Sequence, residues 1–399
     1  MNNEEMDVDD ESETSNDEVL EDNKEIVEDI DPFDASKVVV FSRDWTIETV
    51  YSQIKEGNID LNPKFQRRNA WNDSKRSILI ESVILGYPVP EIVLAEDPKK
   101  KRSFIVIDGK QRLLTLAGFI DPETYEYWVN PTLDLKKAPL RGASYKDFEG
   151  NPDLADKFRE FKNSSIRTTV ITNFEKDDVL YDIFYRLNSG ATPLSTQELR
   201  QVLNKGEFAN YLIEITNETQ PLHHILKLNG PDKRLVDIEI ILRCIAMILF
   251  GNEYTGNLKK FLDSKMRFIN DNWSEMHENI SDVYIQVNRA IEILKTVFED
   301  YSKIGRKYKN GIPEPRFNRV LFEVMVFYFT RLLTVDLTAN NIAKFTHAFV
   351  ALCDEPDFKS SIESSTKNIE NYRIRFNKFQ AIVNESFGKN FDLVPFNQN

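Results

Sequence analysis

From Val38 to Ile120 the hydrophobic period of the chain switches back and forth between about 3.6 and 2 residues, and a pattern changing over such short distances fits few architectures. Ile47, Val50, Tyr51 and Ile54 form one helical stripe across Thr46–Glu56, and Gly57 stops it. The short extended piece Ile59-Asp60-Leu61 runs into Asn62-Pro63 and then a basic, aromatic loop, Phe65–Trp71. Asn72 or Asp73 can cap a helix that runs to Leu85 and stops at Gly86. Pro88 and Pro90 lead into a strand, Glu91–Ala95. A charged turn, Asp97–Lys101, then gives way to the return strand of a hairpin, Ser103–Ile107. Asp108-Gly109 breaks that strand, and Lys110–Ile120 resumes helical spacing through Leu113, Leu116, Ala117 and Ile120.

Such alternation predicts a small α+β domain. Residues 121–165 read as an irregular, polar insertion or covering loop, after which the β-branched Thr168–Thr172 returns to the sheet. From Asp177 onward the pattern is helical almost to the end, with long helices expected near 234–250, 281–300, 317–333, 338–353 and 366–386. Ser195-Thr196-Gln197-Glu198 fits a capping box, with Leu194 and Leu199 as its hydrophobic staple. Ser302–Pro315 reads as a loop carrying Arg306, Lys307 and Lys309. The expected organisation is α+β: an acidic tail over 1–36, an α+β domain over 37–175 and an all-α domain over 176–399.

The charge of −14 is unevenly spread over the 399 residues. The first 36 hold 16 acidic residues and one lysine, Lys24, which leaves 49 acidic and 50 basic residues for the rest. The body is therefore near neutral, and the tail lacks the apolar residues that would offset its chain entropy, so it is expected to be disordered. Its plain reading is a solubilising extension; its sharper one is a mimic of nucleic acid over a basic site. Cys244 and Cys353 stand far apart, which supports neither a disulfide framework nor a thiolate zinc site. The start of the chain has no basic stretch followed by an apolar one, and the longest apolar runs fall short of the ~20 residues of a membrane span. A cytoplasmic protein without a membrane partner is the expectation.

The chemistry concentrates in Ile107-Asp108-Gly109-Lys110-Gln111-Arg112. A strand that ends in Asp-Gly and turns directly into a helix presents backbone N–H groups at a positive helix end, which suits an anion. Gly109 lets a ligand oxygen approach the backbone closely, Lys110 and Arg112 add charge, and Asp108 could coordinate a divalent ion or orient a water. On its own this junction is a common turn. No G-x-x-x-x-G-K-[ST] or G-x-S-x-G string is present.

Four strings in order, NPKFQRRNAW, LIESVILGYPVPEIVLAE, VIDGKQRLLTL and FYRLNSGATPLSTQELR, together resemble one family across roughly residues 40–200. It is the N-terminal domain family of GmrSD-type, modification-dependent restriction systems, also called domain of unknown function 262. The family is similar to the ParB/sulfiredoxin-like fold, whose corresponding turn holds a nucleoside triphosphate. The resemblance implies such a site on Asp108, Gly109, Gln111 and Arg112, with Arg67 from the preceding loop and Asn188 from the later motif. The usual family turn is DGQQR. Lys110 replaces its first Gln, adding charge where phosphate would lie.

Family members that cut DNA carry an HNH-type nuclease domain after the helical region. The four histidines here, His223, His224, His277 and His347, do not supply that pattern. His223-His224 also lack carboxylates at zinc-ligand spacing. The resemblance thus implies a nucleotide-binding, hydrolysing regulatory protein of a DNA-restriction or phage-defence system, acting with a separate nuclease and using Mg²⁺ as counter-charge. A direct ParB-like nuclease is the rival; it would draw its metal-binding carboxylates from Asp108 and from Glu81 or Glu96. A third reading is a non-catalytic adaptor whose turn grips a DNA phosphate, against which the near-neutral body argues.

Overall fold

A computed structural model of the chain describes residues 37–61, 71–98, 100–125, 128, 131–133, 141–187, 195–363, 369–392 and 394. It forms two compact units, one up to Leu203 and one from Asn204. The tail expected over 1–36 lies outside the described residues.

The first unit is built on a mixed sheet of four strands, β1 (Val39–Thr46), β2 (Ile92–Glu96), β3 (Phe104–Asp108) and β4 (Ser165–Thr172). Their order is β1-β4-β2-β3, with β4 antiparallel to β1 and parallel to β2. The hairpin partners β2 and β3 are antiparallel, pairing Val93 with Asp108 and Glu96 with Phe104. Two faces are buried, and the two-residue period of the strands divides their side chains between them. Ile92, Leu94 and Val106 join a core with α1 (Ile47–Lys55), α2 (Asp73–Ile84) and α3 (Lys110–Ile120). Val93, Ala95, Ile105 and Ile107 join the other, with Leu180, Tyr181 and Phe184 of α6 (Asp178–Leu187) and Leu199 of α7 (Thr196–Leu203).

The expected helices and hairpin are present, and the caps expected at Asn72 and at Ser195 are in place. The Asn72 side chain accepts the Lys75 N–H at 3.0 Å to open α2, and Leu85 closes it before Gly86. Three features differ. Residues 121–165 are not wholly irregular: α4 (Tyr145–Gly150) and α5 (Ala155–Asn163) lie there. Ser144 and Asp147 form a capping box for α4, and Phe148 packs edge to face with Phe158 and Phe161, which pack in the same way on Tyr145 and Phe119 respectively. The region was too polar overall to reveal that cluster. Secondly, β1 leads directly into α1 although its residues show no clean alternation, because most of the strand is exposed. Thirdly, α6 and α7 cover a face of the sheet, so the first unit ends at Leu203 rather than near residue 175.

The second unit comprises α8 (Glu207–Ile215), α9 (Pro221–Ile225), α10 (Val236–Phe250), α11 (Leu258–Asp271), α12 (Trp273–Phe298), α13 (Arg319–Phe329), α14 (Ala339–Asp354), α15 (Pro356–Glu363) and α16 (Ile369–Phe387). It is not all-α. Residues expected as a loop form an antiparallel hairpin, β5 (Arg306–Lys309) and β6 (Ile312–Phe317). Asn310 and Gly311 both have positive φ, 53° and 77°, the conformation a tight hairpin turn demands and Asn-Gly accommodates. The buried Arg306 donates to the Ile225 carbonyl at 3.0 Å, anchoring the hairpin.

His223 does have a carboxylate partner, although the sequence spacing offered none for a metal. Its Nδ1 accepts the Gln220 N–H at 2.8 Å, so Nε2 carries the proton and donates to Asp237 Oδ2 at 2.9 Å in a fully buried pair. Asp237 also accepts the backbone N–H groups of Asp232 and Ile238, so the pair ties α9 and the following loop to the start of α10. Cys244 and Cys353 are buried thiols without a disulfide. Burial pushes the Cys353 thiol up to about 11. Among the described residues no helix is long and apolar enough to cross a membrane.

Candidate functional site at the end of β3

The hairpin delivers Asp108 to the end of β3, and Gly109 turns the chain into α3. Gly109 is the N-cap of α3, with φ 95° and ψ 10°. A side chain there would be strained by that backbone alone. It would also be crowded: a Cβ would sit 3.1 Å from Ile92 Cγ1 and 3.2 Å from an Arg112 guanidinium nitrogen. Glycine supplies no capping side chain, which leaves the first turn of α3 uncapped by its own N-cap residue.

Arg112 folds back across this bend. One guanidinium nitrogen donates both to Asp108 Oδ2 and to the Glu91 carbonyl, each at 2.9 Å. Its side chain is only 13% exposed, against 38% for Asp108. The guanidinium is therefore engaged within the bend rather than projecting from it. Arg112 clamps the end of β3, the start of α3 and the entry to β2 together, and Asp108 is held by it. Gln111 has its side-chain oxygen buried, and among the described residues no hydrogen bond reaches that atom. Its main-chain oxygen accepts from Thr115 Oγ1 at 2.7 Å.

Lys110 is partly buried by exposed area, yet the crowding about its ammonium pulls it below the ordinary lysine range. The carboxylates of Glu198 and Asp60 act in the opposite direction. Asp60 arrives because the chain bridges in parallel from Ile59 to Phe104, beside β3. Glu198 arrives on α7, one of whose residues, Leu199, packs with Ile105 and Ile107. Neither was legible as a neighbour of Lys110; Glu198 was expected only as a cap. That role is present too: Ser195 N–H donates to Glu198 Oε2 at 2.7 Å, and Glu198 N–H donates to Ser195 Oγ at 3.2 Å.

Residues 47–204 match the model of the GmrSD restriction endonuclease, N-terminal domain. This stretch is similar to the GmrSD N-terminal domain family. The match begins at the first residue of α1 and ends one residue past Leu203, where the first compact unit ends. No curated protein matches the chain, and no solved structure does.

Within the matched stretch, Asp108, Gly109, Lys110, Gln111 and Arg112 are contiguous at one bend. Arg67 and Asn188 lie outside the described residues, as does Leu194 of the expected staple. The carboxylates of the nuclease reading are not gathered in the same way. Glu96 pairs with Phe104 at the far end of the hairpin from Asp108, three residues or roughly 10 Å along the strand. Glu81 lies late in α2. Among the described residues no group of three or more His, Cys, Asp or Glu side chains is placed to hold a metal ion.

Proposed function

We propose that the GmrSD N-terminal domain of this chain binds a nucleoside triphosphate at the bend from β3 into α3. Hydrolysing that nucleotide, it serves as the regulatory, sensing part of a DNA-restriction or phage-defence system whose cutting belongs to a separate nuclease. The carrying observation is the left-handed Gly109 at the N-cap of an eleven-residue helix, walled by Ile92 and Arg112. A phosphate laid against that backbone meets N–H donors and the positive end of α3 without a side chain in the way.

The residues present suit a triphosphate. The space in front of Gly109 is one a Cβ would fill, and the buried Gln111 oxygen is an acceptor awaiting a donor such as a ribose hydroxyl or a base N–H. Lys110 brings a positive charge to the first turn. Arg112 and Asp108 keep the bend in shape, and Asn188 and Arg67 complete the family's binding set. Mg²⁺ would supply charge neutralisation on the phosphates, with Asp108 as a carboxylate at the bend to hold it. The same resemblance brings the ParB/sulfiredoxin-like relationship of the fold.

Calorimetry with a panel of nucleoside triphosphates, with and without Mg²⁺, tests the reading. Binding that disappears in Gly109→Val while the variant keeps its secondary structure is the expected result. Unchanged binding in that variant would remove the bend from the site. Reproducible DNA cleavage by the purified chain with Mg²⁺, abolished by Asp108→Ala, would replace the regulatory reading with the nuclease one.

A further inference from the structure

The interior of the second unit holds a charged cluster that the nucleotide site does not use. Glu239 of α10 accepts from Arg243 Nε at 2.9 Å and pairs with a second nitrogen of the same guanidinium at 2.7 Å. Arg319, which opens α13, brings another guanidinium to 3.9 Å from the same carboxylate oxygen. Just over a turn further along α13, Glu323 is 1% exposed, with the Tyr372 hydroxyl beside its carboxyl. From α16, the fully buried Arg375 lies over the Tyr372 ring at 4.3 Å, and that ring sits 4.1 Å from the ring of Tyr254.

The groups bearing on Glu323 come from each side. They are Arg243 and Cys244 of α10, Tyr372 and Arg375 of α16, and Tyr254. Arg289 of α12 is turned instead to the Thr330 carbonyl, and Arg306 of β5 to that of Ile225. Glu239 holds the Arg243 ion pair, and Glu323 lies in the field of Arg243 and Arg375. A carboxylate in a dry interior is costly, whereas the neutral acid is tolerated. Burial outweighs the pull of Arg243 and Arg375 and holds the Glu323 carboxyl up at about 7.

We infer that Glu323 is a proton-controlled latch joining α10, α13 and α16. Protonated, it lets the three helices close around a neutral acid. Ionised, it draws the arginines and solvent toward itself, and the packing of the unit loosens. The unit would then respond to pH in the neutral range independently of any nucleotide at the bend.

The sign follows from linkage. The folded-state value lies above the unfolded one, so the stabilisation is full below the ordinary carboxyl range. It is lost as pH rises toward about 7, and a further rise adds nothing. Amide hydrogen exchange on the full chain, corrected for intrinsic rates, reads this helix by helix. Between about pH 5 and about pH 8, protection of α10, α13 and α16 relative to Glu323→Gln should fall on the order of ten- to a hundredfold. The same pH dependence in both proteins, or a gain of protection on deprotonation, overturns the latch. Should Glu323→Gln fail to fold, carboxyl-carbon NMR of the wild type decides, since a Glu323 midpoint below about 5 contradicts it.

Discussion

Truncating Arg112 to alanine separates the structural and the ligand-gripping readings of the β3–α3 bend, because the two differ in the absence of any ligand. The side chain donates at 2.9 Å to the Glu91 carbonyl and at 2.9 Å to Asp108. A lost hydrogen bond from a charged donor costs about 1.5–3 kcal/mol, and here it also leaves the Glu91 carbonyl without that donor. The Asp108 contact is discounted to about 0.5–1 kcal/mol, because that carboxylate is 38% exposed and screened by solvent. Burial of the Arg112 stem adds roughly 1 kcal/mol. The expected loss is therefore about 3–5 kcal/mol for the first unit, equivalent to roughly 6–20 °C in its melting midpoint. Urea unfolding of wild type, Arg112→Ala and Arg112→Lys, monitored by a tryptophan of the first unit such as Trp128, measures it. Lysine should recover about half, because an ammonium on a shorter reach cannot serve both acceptors as the fork does. A loss below about 1 kcal/mol for alanine would show that the clamp is idle and would return Arg112 to the role of an exposed phosphate ligand.

Three further outcomes are expected. Gly109→Ala should destabilise the first unit by about 2–3 kcal/mol, from the left-handed backbone and the 3.1 Å approach to Ile92, in the same urea assay; a neutral result would mean the bend relaxes easily. His223→Ala should cost the second unit about 1.5–3 kcal/mol, because it takes one hydrogen-bond donor from the fully buried Asp237 carboxylate. Calorimetric melting of the variant checks this, and His223→Gln should recover part of the loss. Lys110 has a folded-state value below the ordinary one, so its stabilising contribution is present above the lysine range and is lost as pH falls through the folded value. The stability of wild type relative to Lys110→Gln should accordingly rise as pH climbs toward the ordinary lysine range, and a flat difference would contradict the burial of that ammonium.

Local chemistry was legible in the sequence, and long-range pairing was not. Asn72, Gly86 and the Ser195–Glu198 box announced helix ends because a cap is made by residues three or four apart. Asp108-Gly109 announced a break for the same reason. By contrast, the Arg112 guanidinium closes on a carbonyl 21 positions earlier, and His223 on a carboxylate 14 positions later. Neither distance leaves a periodic trace. β1 escaped notice because its burial pattern lacks the alternation that marks a half-buried strand, and α4 because six residues are too few to show a helical period. The β5–β6 hairpin did carry its signal, Asn310-Gly311, but Pro313 and Pro315 beside it read as loop. Proline is tolerated in a two-stranded hairpin because each strand has an open edge.

These pairings change what a loss of nucleotide affinity at the bend would mean. If Arg112 holds the bend in shape, then weakened binding in Arg112→Ala has two sources, a missing contact and a distorted cradle, and affinity alone cannot separate them. Gln111 separates them better. Its side-chain oxygen has no hydrogen-bond partner among the described residues, whereas its main chain stays in α3 with Thr115 donating to its carbonyl. Gln111→Ala therefore removes an acceptor and leaves the clamp of Arg112 on Asp108 and Glu91 in place. Its effect on apo stability should be small, since taking away a buried polar atom that lacks a partner is close to neutral. If the bend grips a nucleotide, Gln111→Ala should lower affinity by about 1–1.5 kcal/mol, five- to tenfold, with the unfolding midpoint unchanged. If it grips nothing, calorimetry will show no difference for Gln111→Ala, and Arg112→Ala will show only the loss of fold. The pair of variants thus tests ligand and scaffold separately at positions one residue apart.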